Sequence, residues 1–195
     1  YGISLVYGFA GGTNYHTVGQ ALAGLGSAAS GTTTGLIFAV FLVAIGLAFK
    51  VSAAPFHMWT PDVYQGAPTP IAGFFSVGPK AAALGVLIGA FGQAFSEASM
   101  EWGLLFVVLA ILTMLVGNLY ALVQTNVKRM LAYSSIAHAG YLLTGLGALG
   151  WTGERRAAYG VLVYLVAYTF MNLGAFGVLA NLKMQAAEKF DYSLK

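Results

Sequence analysis

Residues 49–70 read FKVSAAPFHMWTPDVYQGAPTP, and this stretch interrupts an otherwise long apolar sequence. Lys50 lies about two-thirds along the preceding apolar run, and four of the chain's five prolines fall within the sixteen residues that start at Pro55. Proline lacks an N–H group and its ring clashes with the preceding turn, so Pro55 is expected to break or kink the helix about one turn after Lys50. Interrupted helices recur at ion sites in membrane transporters, where the freed backbone groups line a cavity. The stretch therefore predicts a helix that is broken between Lys50 and Pro61.

The composition of the whole chain is that of an integral membrane protein. Of its 195 residues, 58% are apolar or aromatic and 8% are charged, whereas a soluble domain has roughly 45–50% apolar and about 25% charged residues. The same figures exclude disorder, and a net charge of +3 from scattered basic residues argues against a nucleic-acid partner. The chain has no cysteine, so disulfides, iron–sulfur ligation and Cys-based zinc sites are excluded, and its three histidines lie far apart in sequence.

Apolar runs of about 20 residues, the length that crosses a bilayer core, divide the chain into membrane spans. No strand-like alternation competes with them. We therefore expect an all-α polytopic transmembrane helix bundle, one transmembrane domain over residues 1–195 and an internal piece of a longer polypeptide. It would comprise the end of one helix at 1–9, a loop at 10–33, five helices at about 34–54, 69–95, 101–124, 129–149 and 156–183, and a polar tail at 184–195.

Thirteen of the fifteen charged residues fall in loops or at the ends of these spans. Alternating the spans divides the basic residues unequally between the two sides of the membrane. One side has five and the other has two; they are Lys128, Arg129, Lys183, Lys189 and Lys195, against Arg155 and Arg156. Loops rich in Lys and Arg usually face the cytoplasm, so the side with five is predicted to be cytoplasmic.

The two remaining charges, Lys50 and Lys80, lie inside predicted spans. A lysine at the centre of a membrane helix costs at least roughly 2.5–3.5 kcal/mol to insert, and such residues usually serve ion or proton pathways. Three alternatives stay open: Lys50 could extend its long stem to the interface, either lysine could form a buried ion pair, and a loop capped by Asp62 and Thr69 could account for part of the break. That loop would not explain why Pro79 directly precedes Lys80.

Three blocks of this sequence resemble a known family. Residues 49–70 resemble the signature of the antiporter-like membrane subunits of respiratory complex I, and the string WTPDVYQG at 59–66 is most similar to the branch called subunit N of bacterial NADH:quinone oxidoreductase. Residues 128–143, KRMLAYSSIAHAGYLL, and residues 172–177, NLGAFG, resemble the same branch. The resemblance implies a fold of two inverted five-helix repeats, each with a broken helix.

The resemblance also implies roles for four residues. Lys50 matches the lysine at the break of the first discontinuous helix, and Lys80 matches the lysine of the next helix; both would relay protons. His57 and His138 match recurrent histidines of the family. His57 would polarise the broken helix and His138 would belong to a hydrated axis, although simple packing is an equal alternative for each. The glutamate that pairs with the first lysine, and the lysine of the second broken helix, are expected outside this chain.

The function implied by the resemblance is proton translocation by a membrane subunit of NADH:quinone oxidoreductase. No cofactor or metal is expected on this chain, while the whole complex would use NADH, flavin, iron–sulfur clusters and quinone. The expected partners are the other membrane subunits of complex I, the lipid bilayer and protons, in the bacterial plasma (inner) membrane. Two alternatives stay open: a subunit of a cation/proton antiporter or membrane-bound hydrogenase, and a structural scaffold without a proton relay.

Overall fold

The computed structural model describes residues 1–24, 30–185 and 192–193, with the backbone alone over 30–33. Within these ranges it contains helices and no β-strand, which confirms the all-α fold class. A π-helical turn lies at Ala90–Ala94 and a 3₁₀ turn at Ser96–Ala98. The eight α-helices are α1 Gly2–Ala10, α2 Tyr15–Ala23, α3 Ser30–Val51, α4 Trp59–Gly66, α5 Thr69–Gly89, α6 Ser99–Leu122, α7 Val127–Thr152 and α8 Arg155–Gln185.

Four segments of the described residues are long and apolar enough to cross a membrane: Thr34–Val51, Thr69–Ala94, Ser96–Leu122 and Arg155–Gln185. Helix α7, expected as a further span at 129–149, has the length but is less apolar. Its buried residues include Ser135 and several glycines, because it packs against α4, α6 and α8. The centre of the loop expected at 10–33 lies outside the described residues, and so does most of the tail expected at 184–195.

The broken helix is confirmed, and α3 ends in a defined turn at Val51. Ser52 has a left-handed backbone with φ of 66°, which lets its N–H group donate to the Phe49 carbonyl at 3.1 Å. The N–H group of Ala53 then donates to the Ala48 carbonyl at 2.9 Å. This pair of bonds is the Schellman arrangement that satisfies the last carbonyls of a helix.

The first part of the interruption after α3, residues 52–54, is buried and paired with α6. The N–H group of Ala54 donates to Thr113 Oγ1 at 2.9 Å, and Thr60 Oγ1 donates to Ser52 Oγ at 2.7 Å. Ser52, Thr60 and Thr113 are all inaccessible to solvent. Unsatisfied backbone groups cost several kcal/mol each in a bilayer, so irregular backbone persists there only where other protein groups pair with it. Thr113 supplies that pairing for the break.

Helix α7 is the centre of the bundle. Its N-terminus is capped by the Asn126 side chain, which accepts hydrogen bonds from the backbone N–H groups of Lys128 and Arg129 at 3.0 and 3.2 Å. Its glycines let α6 approach closely, since a Cβ atom at Gly140 would lie 2.9 Å from the backbone nitrogen of Met114. Helices α4, α6 and α8 all pack on α7, and Ser135 is buried among them.

Candidate functional site

Lys80 lies in the middle of α5 and its side chain is buried, with 1% of the residue exposed. Its Nζ donates to the carbonyl oxygen and to Oγ of Ser135 on α7, both at 2.5 Å, and lies 5.8 Å from the ring centre of Tyr168 on α8. Among the described residues the single ion pair joins Arg129 and Asp62 and does not include Lys80. The charge of Lys80 is therefore held by uncharged oxygen atoms.

A second tier of hydrogen bonds supports Ser135. Tyr168 Oη lies 2.7 Å from Ser135 Oγ and donates to the Ser76 carbonyl at 3.1 Å. The Asn172 amide donates to Tyr168 Oη at 2.8 Å. All four residues are buried. We call Ser76, Ser135, Tyr168 and Asn172 the lysine anchor; helices α5, α7 and α8 each contribute to it.

Helix periodicity explains why these groups meet. Tyr168 and Asn172 are one turn apart on α8, so they share the face that α8 presents to α5 and α7. Ser135 lies on the same stripe of α7 as the buried residues Ala132 and Ala139. Lys80 follows the buried Ser76 by one turn of α5. Each helix therefore directs one polar face toward a common interior point.

Lys50 is in a different environment, and the expected burial of both lysines is wrong for this one. Its side chain is exposed, and it makes no hydrogen bond or ion pair with the described residues. The reason is its position on α3, because the buried residues Ala44, Ala48 and Val51 lie on the opposite face of the helix. Lys50 lines an open groove of about 330 Å³ together with Phe49, Trp59, Val63, Phe75 and Pro79.

The two histidines also separate. His57 lies in the interruption between α3 and α4, and its buried Nδ1 has no hydrogen-bond partner within the described ranges. His138 lies on α7, one turn beyond Ser135, where its Nδ1 is 2.6 Å from Tyr164 Oη and its ring centre is 5.3 Å from that of Tyr168. The structure thus brings His138 next to the lysine anchor and leaves His57 at the break.

The anchor residues were not singled out by the sequence reasoning. Ser135 and Asn172 lie inside the two later blocks that resembled the family, but neither drew attention because neither is charged. The available signal was the pair Tyr168 and Asn172, two polar groups one helical turn apart in an apolar span. Periodicity alone could have placed them on one face, without indicating that Lys80 faces them.

A polar clasp joins α4 to the first turn of α7. Arg129 Nη1 lies 2.5 Å from Asp62 Oδ1 and 3.0 Å from Gln65 Oε1. Lys128 Nζ donates to the carbonyl oxygens of Gln65 and Ala67, at 2.9 and 2.5 Å, and so caps the C-terminus of α4. The clasp fixes the helix that follows the break to the helix that carries Ser135.

Within the residues described, no group of three or more His, Asp and Glu side chains is placed to hold a metal ion.

The sequence profile described as NADH:quinone oxidoreductase/Mrp antiporter, TM matches residues 1–193. The chain belongs to this family. The resemblance seen in the three sequence blocks is confirmed. Curated members named NADH-quinone oxidoreductase subunit N include one from Rhodospirillum rubrum, 47% identical over 185 residues, which covers 95% of this chain and 36% of that protein. One from Salinibacter ruber is 51% identical over 199 residues, which covers 100% of this chain and 37% of that protein.

The chain spans a little over a third of the length of these curated relatives. Among solved structures, respiratory complex I from Thermus thermophilus with bound aureothin contains a chain that matches with a TM-score of 0.58 and 35% identity, over 92% of this chain and 36% of that one. A chain of the Mrp complex from a Dietzia species matches with a TM-score of 0.79 and 22% identity, over 93% of this chain and 32% of that one. The latter likeness concerns the fold.

Proposed function

We propose that this chain is part of a proton-translocating membrane subunit of NADH:quinone oxidoreductase, in which Lys80 and Lys50 relay protons. The observation that carries the proposal is Lys80, a lysine in the middle of a membrane helix. It is buried and has no carboxylate partner among the described residues. Relatives of 44–51% identity that are named as subunit N of that enzyme support the choice of complex. The redox chemistry, with NADH, flavin, iron–sulfur clusters and quinone, would take place on other subunits.

As a proton carrier, Lys80 would exchange between two protonation states, which its surroundings affect in opposite ways. Burial disfavours the ammonium form, whereas the two oxygen atoms of Ser135 favour it. Moving one charge through 100 mV costs about 2.3 kcal/mol, which is comparable to the free energy of a hydrogen bond to a charged group. Small changes in the surroundings of Lys80 would therefore load and unload its proton.

Lys50 would be the neighbouring relay group at the break. It lies in the last turn of α3, where the partial negative charge of the helix C-terminus favours an ammonium group. Its groove also contains Pro79, the residue directly before Lys80, so the groove leads from one lysine toward the helix of the other. A carboxylate from a segment outside the described residues would pair with Lys50 and set its charge.

His57 and His138 would have secondary roles. The buried Nδ1 of His57 has no hydrogen-bond partner among the described residues, which supports a polarising contact with the broken helix or with water. His138 is hydrogen-bonded to Tyr164 beside the anchor, which supports a place on the lateral route from Lys80. The proposed partners are the other membrane subunits of the complex, the bilayer and protons, and the proposed location is the bacterial plasma membrane.

Replacing each lysine by methionine in the assembled complex tests this function. Lys80→Met and Lys50→Met should each lower proton pumping by at least about tenfold, since a positioned proton-transfer group contributes roughly 10²–10⁴-fold to a rate. Lys183→Met is the matched control, because Lys183 lies in the exposed last turn of α8. This variant should pump at the wild-type rate. Pumping, NADH:quinone turnover and the amount of assembled complex are measured together. Wild-type pumping by both relay variants would support a structural scaffold instead.

A second candidate is cation/proton exchange in an Mrp-type assembly, which the match to the Mrp complex favours at the level of fold. Transport by the wild-type assembly distinguishes the two functions. If pumping by the wild-type assembly requires Na⁺ and persists without NADH oxidation, exchange is the function. Pumping that follows NADH oxidation in Na⁺-free buffer supports the complex I function.

A further inference from the structure

The hydrogen bonds around Tyr168 have a single consistent set of directions. Its hydroxyl group has one proton, which it donates to the Ser76 carbonyl at 3.1 Å. Its oxygen accepts a bond from the Asn172 amide at 2.8 Å. In the remaining contact, at 2.7 Å, the donor must therefore be Ser135 Oγ. Tyr168 thus fixes the direction of the Ser135 hydroxyl proton.

This direction determines what Ser135 offers to Lys80. Because the hydroxyl proton points to Tyr168, the lone pairs of Oγ are free to accept from Lys80 Nζ. The Ser135 carbonyl is a second acceptor at the same distance of 2.5 Å. An ammonium group has three N–H bonds and a neutral amine has two, so both forms can make this pair of bonds. The pair of acceptors suits either protonation state of Lys80.

We propose that Ser135 and Tyr168 are positioning residues that hold the Lys80 nitrogen against α7 in both protonation states. The inference rests on the proposed function, in which Lys80 carries a proton. In this proposal a water molecule that enters the site takes the third proton of the ammonium group, which Ser135 does not bind, giving a neutral amine and a hydronium ion, and a proton returns from water in the reverse step. The nitrogen keeps its two bonds to Ser135 throughout, so the lysine relays protons without swinging toward another helix.

The groups that surround Lys80 are consistent with a fixed position. The hydroxyl oxygen of Tyr64 on α4 lies 3.5 Å from Ser135 Oγ. The ring of His138 on α7 lies beside that of Tyr168 on α8. Helix α3 carries Lys50, whose like charge disfavours movement of Lys80 toward it. No carboxylate in the described part of the chain is paired with Lys80 and could draw it away. The anchor is thus its one set of close polar partners there.

Variants of the anchor in the assembled complex test the inference. Ser135→Ala should lower the pumping rate roughly tenfold, because the ammonium group loses one hydrogen-bond acceptor. The pH at which pumping falls to half should move down by about one unit, since the charged form is less stabilised. Tyr168→Phe should shift both quantities in the same direction by a smaller amount, because the Ser135 hydroxyl group loses its fixed orientation.

Conservative variants and neighbours separate positioning from packing. Ser135→Thr keeps the hydroxyl group and should restore most of the pumping that Ser135→Ala loses. Ser134→Ala makes the same change one residue earlier, where no side-chain hydrogen bond is made with the described residues. Tyr159→Phe makes the tyrosine change at an exposed position of α8. Both control variants should keep the wild-type rate and pH profile.

The outcomes distinguish this inference from the proposed function. If Lys80→Met loses pumping while Ser135→Ala and Tyr168→Phe keep the wild-type rate and pH profile, the positioning role is wrong and the function stands. If Lys80→Met pumps normally, the function fails and the inference fails with it. If Ser135→Ala does not assemble, Tyr168→Phe decides, because it removes one oxygen atom; an unchanged half-maximal pH in that variant overturns the inference.

Discussion

Lys50 and Lys80 lie on helices that pack against each other, yet their surroundings differ in almost every respect. Lys50 is exposed in the last turn of α3 and has no polar partner within the described ranges. Lys80 is buried in the middle of α5 and has two hydrogen bonds to one residue of α7. Lys50 has the end of its own helix beside it, whereas Lys80 has two oxygen atoms of α7, whose residue Ser135 is in turn bonded to Tyr168 of α8.

The difference teaches how a membrane bundle accommodates a charge at two kinds of position. At a helix end, the free carbonyl groups and the helix dipole favour an ammonium group without any side-chain partner. In the middle of a helix those groups are already paired, so Lys80 depends on Ser135 and on the side chains behind it. A change near Lys50 should therefore act locally, whereas a change near Lys80 should act through the packing of three helices.

The largest expected effect comes from combining the two lysine variants. If Lys50 and Lys80 act in series, the double variant Lys50→Met/Lys80→Met should pump no more slowly than the slower single variant, about tenfold below wild type. Two parallel routes would instead add their fluxes, so each single variant would keep the flux of the other route and the double variant would lose both. Proton pumping by the three variants, at equal amounts of assembled complex, measures the difference. A double variant that pumps far more slowly than either single variant would contradict a shared route.

A smaller effect is expected where the break is paired with α6. Thr113→Val removes the acceptor of the Ala54 N–H group and should lower the free energy of unfolding by about 1–3 kcal/mol, the cost of leaving a buried donor unpaired. The midpoint of thermal unfolding of the solubilised complex measures it. Thr169→Val is the matched control, because the Thr169 hydroxyl group, among the residues described, bonds only to the Leu165 carbonyl of its own helix. Equal midpoints for the two variants would show that the break does not depend on Thr113.

The smallest effect is expected at the clasp on the far side of the break. Asp62→Asn removes an ion pair whose acidic partner is 74% exposed, so its cost should stay below about 1 kcal/mol. The loss should shrink further as salt is added, because exposed charges are screened. Thermal unfolding at low and high salt measures both, with Glu97→Gln as the control. A salt-independent loss of several kcal/mol would mean that the clasp, and with it α4, is buried in the complex.

Much of the fold followed from the amino-acid sequence because its physical signals are strong. Apolar runs indicated the membrane helices, and Pro55 indicated the break that Ser52 and Ala53 complete. The prediction of a membrane span was weaker for α7, because polar residues lower the hydropathy of this helix. Other helices pack around it and can accommodate such residues. Hydropathy measures the apolarity of a segment. A helix that contacts protein on several sides exposes less surface to lipid, so fewer of its residues have to be apolar.

The candidate site was only half predictable for a related reason. Both lysines were visible as charges in apolar runs, but their burial depends on the direction that each faces, which one sequence does not give. Lys80 faces Ser135, while Lys50 faces away from the buried stripe of α3. The anchor residues are uncharged, so no energetic argument singled them out before the helices were packed together.

The most direct test of the central claim is the number of protons translocated per NADH oxidised by the complex carrying Lys80→Arg. An arginine keeps the positive charge and the hydrogen-bond donors but does not release its proton in a protein. If Lys80 carries protons, this number should fall as it does in Lys80→Met, although the charge is retained. If Lys80 is only a structural cation, the arginine variant should translocate as many protons per NADH as the wild type, and the proton-relay account would be contradicted.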